Sequence, residues 1–204
     1  MYFVFELIGT VAFAISGAMA AVRKEMDILG VMMLGITTAV GGGIIRDVLL
    51  GVTPPQALQN PLYAIVSAVV SLIVFLPFIR RHIDVDHMAF VVVDALGLGT
   101  FTVVGIAAAS GLSHPVTKIF IGVLTGVGGG VLRDIFSAKK PMIFVKRFYA
   151  AASICGAIVC VAAHPLGRDC AMLLGIAVIV ILRILAAKFK WHLPRATEKE
   201  SGNQ

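Results

Sequence analysis

Apolar residues run through this chain in seven stretches, 2–22, 28–50, 62–79, 89–109, 116–137, 148–163 and 170–187. Short connections holding most of the charges separate them. An α-helix needs roughly 20 apolar residues to cross a hydrocarbon layer ~30 Å thick, and most of these runs come close to that length. The run at 148–163 falls short, so its start is expected to reach back toward Phe144. The pattern predicts an all-α integral membrane protein with seven transmembrane helices. A soluble helical protein with an apolar core does not repeat such runs seven times.

A second pattern lies over the first. Gly41-Gly42-Gly43-Ile44-Ile45-Arg46-Asp47 returns 87 residues later as Gly128-Gly129-Gly130-Val131-Leu132-Arg133-Asp134. Gly35, Thr38 and Pro54 fall on Gly122, Thr125 and Pro141 in the same register. With small shifts, Glu6, Gly9, Phe13 and Gly17 match Asp94, Gly97, Phe101 and Gly105, and Tyr63, Ala64 and Ser67 match Tyr149, Ala150 and Ser153. The chain is therefore a duplicated unit of about 85 residues with an addition. The expected organisation is a three-helix repeat at 1–83, a second at 84–166, a seventh helix at 167–187 and a cytoplasmic tail at 188–204, where Trp191 marks an interfacial anchor. An odd number of spans per repeat inserts the second copy upside down, giving inverted repeats with a solute site near the midplane.

Composition agrees with this reading. Hydrophobic residues make up 59% of the chain and charged ones 14%, and the mean hydropathy is +0.98, outside the range of soluble domains. The net charge of +6 does not point to nucleic acid, because the basic residues are spread among connections. Twelve (Arg23, Lys24, Arg80, Arg81, Lys139, Lys140, Lys146, Arg147, Lys188, Lys190, Arg195 and Lys199) fall on one side and two (Lys118 and Arg168) on the other. Retention of lysine and arginine in the cytoplasm then places the C-terminus inside and the N-terminus outside. The apolar start, with no basic leader, is expected to be a first span and not a cleaved signal. Cys155, Cys160 and Cys170 lack metal or redox spacing, and the five histidines are scattered. No catalytic constellation, phosphate loop, metal site or cofactor motif is present, which argues against an enzyme.

Functional chemistry is concentrated in the second and fifth spans. Three adjacent glycines each weaken a helix by roughly 1 kcal/mol relative to alanine. Both triplets are therefore expected to break their helices, exposing carbonyls that replace part of a cation's water shell. Packing of helices against small residues is the rival explanation. Thr38 and Thr125, nearly one turn before the triplets, either line the same path or bond to their own backbone. Charges inside spans are costly and are expected to be paired. The charges inside spans are Glu6, Arg46, Asp47, Asp94, Arg133, Asp134 and Arg183, and because neighbours on a helix do not face one another, Arg46 should not be satisfied by Asp47 alone. Depth pairs Glu6 with Arg46 and Asp94 with Arg133, one pair at each mouth of the path. Lys118 and Arg183 are expected to snorkel to lipid headgroups, with voltage sensing by Lys118 as the alternative. On this view a bulky residue at Gly129 abolishes flux in a protein that still assembles.

The doubled Gly-Gly-Gly-x-x-Arg-Asp motif in two three-helix units, followed by a seventh helix, resembles the trimeric intracellular cation (TRIC) channel family in its prokaryotic branch. The resemblance covers about residues 2–187. It implies a bacterial inner-membrane homotrimer with one pore per protomer, permeable to potassium and less selectively to sodium. Kinked second and fifth spans would line that pore at Gly41–Gly43 and Gly128–Gly130. The lysine-rich phosphoinositide contact of animal members is not clearly matched, Arg23-Lys24-Glu25 being only loosely similar. Bacterial proteins of this type have also been connected with glycine uptake, so a secondary transporter for a small zwitterion is the alternative function.

Overall fold

A computed structural model of the chain describes residues 1–79, 87–145 and 148–191. The basic residues Arg80, Arg81, Lys146, Arg147, Arg195 and Lys199, and the expected boundary between residues 83 and 84, lie outside the described residues.

Helices α1 (Tyr2–Val22), α2 (Ile28–Leu49), α5 (His87–Ala108), α6 (Pro115–Phe136) and α9 (Arg168–Lys188) are long and apolar enough to span a membrane. Helices α4 (Leu62–Phe75) and α8 (Tyr149–Ala162) have 14 residues each, about 21 Å at 1.5 Å per residue. The third apolar run is interrupted at Leu76, just before Pro77, and residues 77–79 are helical again. The sixth does not extend back through Phe144, because Met142–Val145 forms a separate short helix, α7. A matching short helix, α3 (Gln56–Gln59), precedes α4.

Local sequence explains several helix starts. Asp27 caps α2 by accepting a 2.7 Å hydrogen bond from the Gly30 amide, and α6 begins with Pro115 at its first turn, where a missing amide hydrogen costs nothing.

Helices α1, α2, α5 and α6 form the centre, with α1 on α2 and α5, and α6 on α5 and α2. Helix α4 packs on α1 and α2, as α8 packs on α6 and α5. Helix α9 packs on α5 and α8, and no helix among the described residues packs on α1 and α4 in the same way. Apolar side chains such as Leu29 and Met33 on α2 and Leu173 and Ile181 on α9 remain exposed, as expected of faces turned toward lipid.

Small residues bring the central helices together. A β-carbon at Gly97 would enter the Phe13 ring, and one at Gly9 would lie 3.1 Å from the Phe101 ring. The two rings pack with centroids 5.3 Å apart. Buried hydroxyls are satisfied locally: Thr10 and Ser71 donate to carbonyls one turn earlier at 2.8 and 2.7 Å. At the far end, Trp191 meets Phe148 edge to face at 5.7 Å.

Candidate functional site

The two triplets meet where α2 crosses α6. A β-carbon on Gly42 would collide with the Thr125 carbonyl, and one on Gly129 with the Thr38 carbonyl. Gly128 would come within 3.2 Å of the Gly42 α-carbon, and Gly41 would strike Leu132. Both helices continue through their triplets without interruption, contrary to the expected break. The reason is environmental: an orphaned amide or carbonyl inside a bilayer costs several kcal/mol, more than a glycine's weak propensity. Four of these glycines are contact residues that allow close backbone approach.

The third glycine of each triplet has a different environment. A β-carbon on Gly43 would find only the Arg46 guanidinium, at 3.9 Å. Beside it is a cleft of about 20 Å³, lined among others by Glu6, Thr10, Gly43, Arg46, Asp47 and Tyr63. A β-carbon on Gly130 would instead lie 2.7 Å from the Tyr149 hydroxyl and 3.7 Å from Arg133. The space open in one half is filled in the other.

Arg46 lies 3.5 Å from Glu6 and donates to the Tyr2 hydroxyl at 3.4 Å. Its Nε also donates to Asp47 at 2.8 Å, so Asp47 is one partner among three, as expected: a long arginine side chain can fold back to a carboxylate that a rigid β-carbon does not face. The other Asp47 oxygen accepts from the Gln56 amide at 2.8 Å, anchoring α3. Tyr63 donates to Glu6 at 2.6 Å. Two carboxylates against one guanidinium leave this cluster with an excess negative charge.

At the opposite end Arg133 is fully buried. It pairs with Asp94, donates to Ser16 at 2.5 Å and donates to Asp134 at 2.9 Å. Asp134 accepts from the Met142 amide at 2.8 Å, anchoring α7 as Asp47 anchors α3. Arg183 does not snorkel to headgroups. It is 4% exposed, sits 3.4 Å from the second Asp94 oxygen and lies over the Tyr149 ring at 4.6 Å. Its position on the face of α9 packed against α5 accounts for this, since a buried cation is driven to the nearest carboxylate. Two guanidiniums balance two carboxylates here. Arg133 and Arg23 each lie 5.1 Å from the Phe90 ring centroid.

Thr38 and Thr125 are fully buried and donate to Leu34 and Ile121 carbonyls at 2.6 Å. β-Carbons at Gly17 and Gly105 would come within 2.5 Å of their hydroxyls, so these threonines face neighbouring helices and not the cleft. Lys118 is half-buried at the start of α6 and lines a separate cavity. The motif reasoning did not single out Tyr63, Tyr149 or Ser16. The tyrosines were detectable, since both are retained in register between the two repeats.

Five helices long and apolar enough to cross a membrane, with buried charge clusters at both ends of a glycine crossing, make this a multi-pass membrane protein. A family model described as glycine transporter matches residues 3–78 and 91–165, and the chain belongs to that family. The inner membrane protein YadS of Escherichia coli is 34% identical over 201 residues, 97% of each chain. The membrane protein YvgT of Bacillus subtilis is 35% identical over 190 residues, 93% of each. A solved structure reported as the structural basis for conductance through TRIC cation channels superposes with a TM-score of 0.86 at 41% identity, covering 97% of this chain and 98% of that one. The TRIC orthologue from Rhodobacter sphaeroides gives 0.84 at 32% identity, covering 93% and 98%. The resemblance drawn from the doubled motif thus holds in three dimensions, and the chain is a multi-pass inner-membrane protein.

Proposed function

We propose that the protein is a potassium-permeable cation channel with a path inside each protomer running along α2 and α6, and that it works as a homotrimer. In this reading the two three-helix units, 1–83 and 84–166, are inverted repeats, α4 and α8 complete seven spans with α9, and the chain runs from outside to the cytoplasm. The observation that carries the proposal is the small acidic cleft beside Gly43. Its volume of about 20 Å³ suits one water or one stripped cation, since a water needs roughly 10–15 Å³ on this measure. Glu6 and Asp47 give it cation-attracting charge, and the carboxylates substitute for lost hydration. The solved relatives, reported as cation channels and not as enzymes, support the same reading.

Glycine uptake is the second reading, favoured by the description of the matching family. An amino acid's carboxylate would need exposed helix N-termini near the midplane, but α2 and α6 are unbroken there. The cleft is also too small for five heavy atoms. Bilayer recording of the purified protein with potassium on both sides, alongside labelled glycine uptake into proteoliposomes, tests the choice. Discrete potassium currents are expected; saturable glycine uptake without currents would overturn the proposal.

Glu6→Gln keeps an acceptor for Tyr63 and removes one negative charge from the cleft. Single-channel potassium conductance should fall severalfold, and the preference for potassium over chloride should shrink, while the assembled protein elutes unchanged.

A further inference from the structure

A second and much larger cavity, of about 500 Å³, lies between α5, α6, α8 and α9. Its volume falls within the range of small-molecule pockets. Its floor is apolar and buried, formed by Val103, Cys160 and Met172. Its rim carries Lys118, His164 and Arg168, of which the histidine and the arginine are exposed. Neither Lys118 nor Arg168 forms an ion pair with any described residue. The Arg168 guanidinium instead rests 5.7 Å from the Tyr2 ring centroid.

The charge of this end of the molecule limits what fits. Contacts of Tyr2 with Arg46 and Arg168, and of Tyr63 with Glu6, place the start of α1, the end of α2 and the start of α4 at the same end as the cavity mouth. Glu6 and Asp47, at the same end, are buried and paired with Arg46; in the outer segments 1–5, 48–62, 109–117 and 162–170, Asp169 is the one acidic residue. It neighbours Arg168 in sequence without pairing with it. A second copy in the same membrane orientation therefore brings no separate carboxylate to the rim. An apolar pocket with two uncompensated cations at headgroup depth suits a ligand with an anionic head and a hydrocarbon tail. Two cations and an imidazole donor fit a phosphate's several oxygens better than a lone carboxylate, which a single cation satisfies.

We infer that this cavity is a binding site for an anionic glycerophospholipid, its phosphate held by Lys118 and Arg168 and one acyl chain seated against Val103, Cys160 and Met172. The site shares no ion pair with either charge cluster and meets the Glu6 cluster through Tyr2 alone, so lipid retention is read separately from conduction.

Native mass spectrometry of the detergent-solubilised protein, with dioleoyl phosphatidylglycerol, dioleoyl phosphatidylethanolamine or oleate added in competition, tests it. Phosphatidylglycerol should be retained in preference to the other two. The Lys118→Gln/Arg168→Gln double variant should lose about tenfold in its retention, as expected for two charge-assisted contacts. Ala107→Trp, which fills the cavity from its α5 wall and keeps both cations, should lose it as well. Equal retention of the two phospholipids, displacement by oleate, or unchanged retention in either variant would overturn the site. So would a cross-link between copies through a cysteine placed at Ser110, persisting with lipid present, because it would make another protomer the occupant. The wild-type competition decides the question even if a variant fails to fold.

Discussion

Alanine at Gly42 or Gly129 is expected to cost the protein its assembly and not only its transport. Each added methyl would push into a backbone carbonyl of the opposing helix, Thr125 in one case and Thr38 in the other. A backbone cannot swing aside as a side-chain tip can, so the crossing of α2 and α6 must open. Overpacking of this kind costs about 1–3 kcal/mol where side chains can yield, and more against backbone. Thermal unfolding in detergent, read by loss of the monodisperse size-exclusion peak, should shift strongly downward for both variants. Gly43→Ala is the control: its methyl enters the cleft with only the Arg46 guanidinium 3.9 Å away, so it should fold normally and alter conduction. If Gly42→Ala and Gly129→Ala unfold at the wild-type temperature, the crossing has been wrongly described. This replaces the simpler expectation that a bulky residue at Gly129 closes a pore in an intact protein.

Asp94→Ala should be the most damaging single charge removal. Asp94 pairs with both Arg133 and Arg183 and interacts with Ser16. Without it Arg133 keeps Asp134 while the cluster holds one carboxylate against two buried guanidiniums, and an uncompensated buried charge costs about 3–5 kcal/mol. Arg183→Met should behave oppositely. Asp94 keeps Arg133, α9 keeps an apolar side chain of similar length, and folding is retained. In the proposed channel the lost contact is the one that ties α9 to the Asp94 cluster, so open probability in bilayer recordings should rise. Wild-type folding of Asp94→Ala would refute the view of Asp94 as the shared partner, and wild-type gating of Arg183→Met would refute α9 as the tie.

The features legible in the sequence were those governed by spacing. Run lengths placed five long helices to within two residues of their ends, and depth along those helices paired Glu6 with Arg46 and Asp94 with Arg133. Side-chain reach and surroundings were less legible. The reach of Arg46 back to Asp47 depends on its torsions, which helix periodicity does not contain. The burial of Arg183 depends on which face of α9 meets α5, a question that a nearly uniformly apolar helix leaves open. The glycine triplets misled for a related reason: propensity measured in water overstates the tendency to break a helix where no water can take the freed hydrogen bonds. The short helices α3 and α7 escaped notice because four residues show no period, although Asp47 and Asp134 hold their first amides in matching fashion.

Helix α9 supplies an arginine to one charge cluster and nothing to the other. An ion arriving at the Glu6 cluster meets two carboxylates around one guanidinium, whereas one arriving at the Asp94 cluster meets two carboxylates held by two guanidiniums, with Arg23 over Phe90 beyond them. A conduit with such unlike ends would rectify: in symmetric salt its current–voltage curve would bend, and reversing the field would not return the same current.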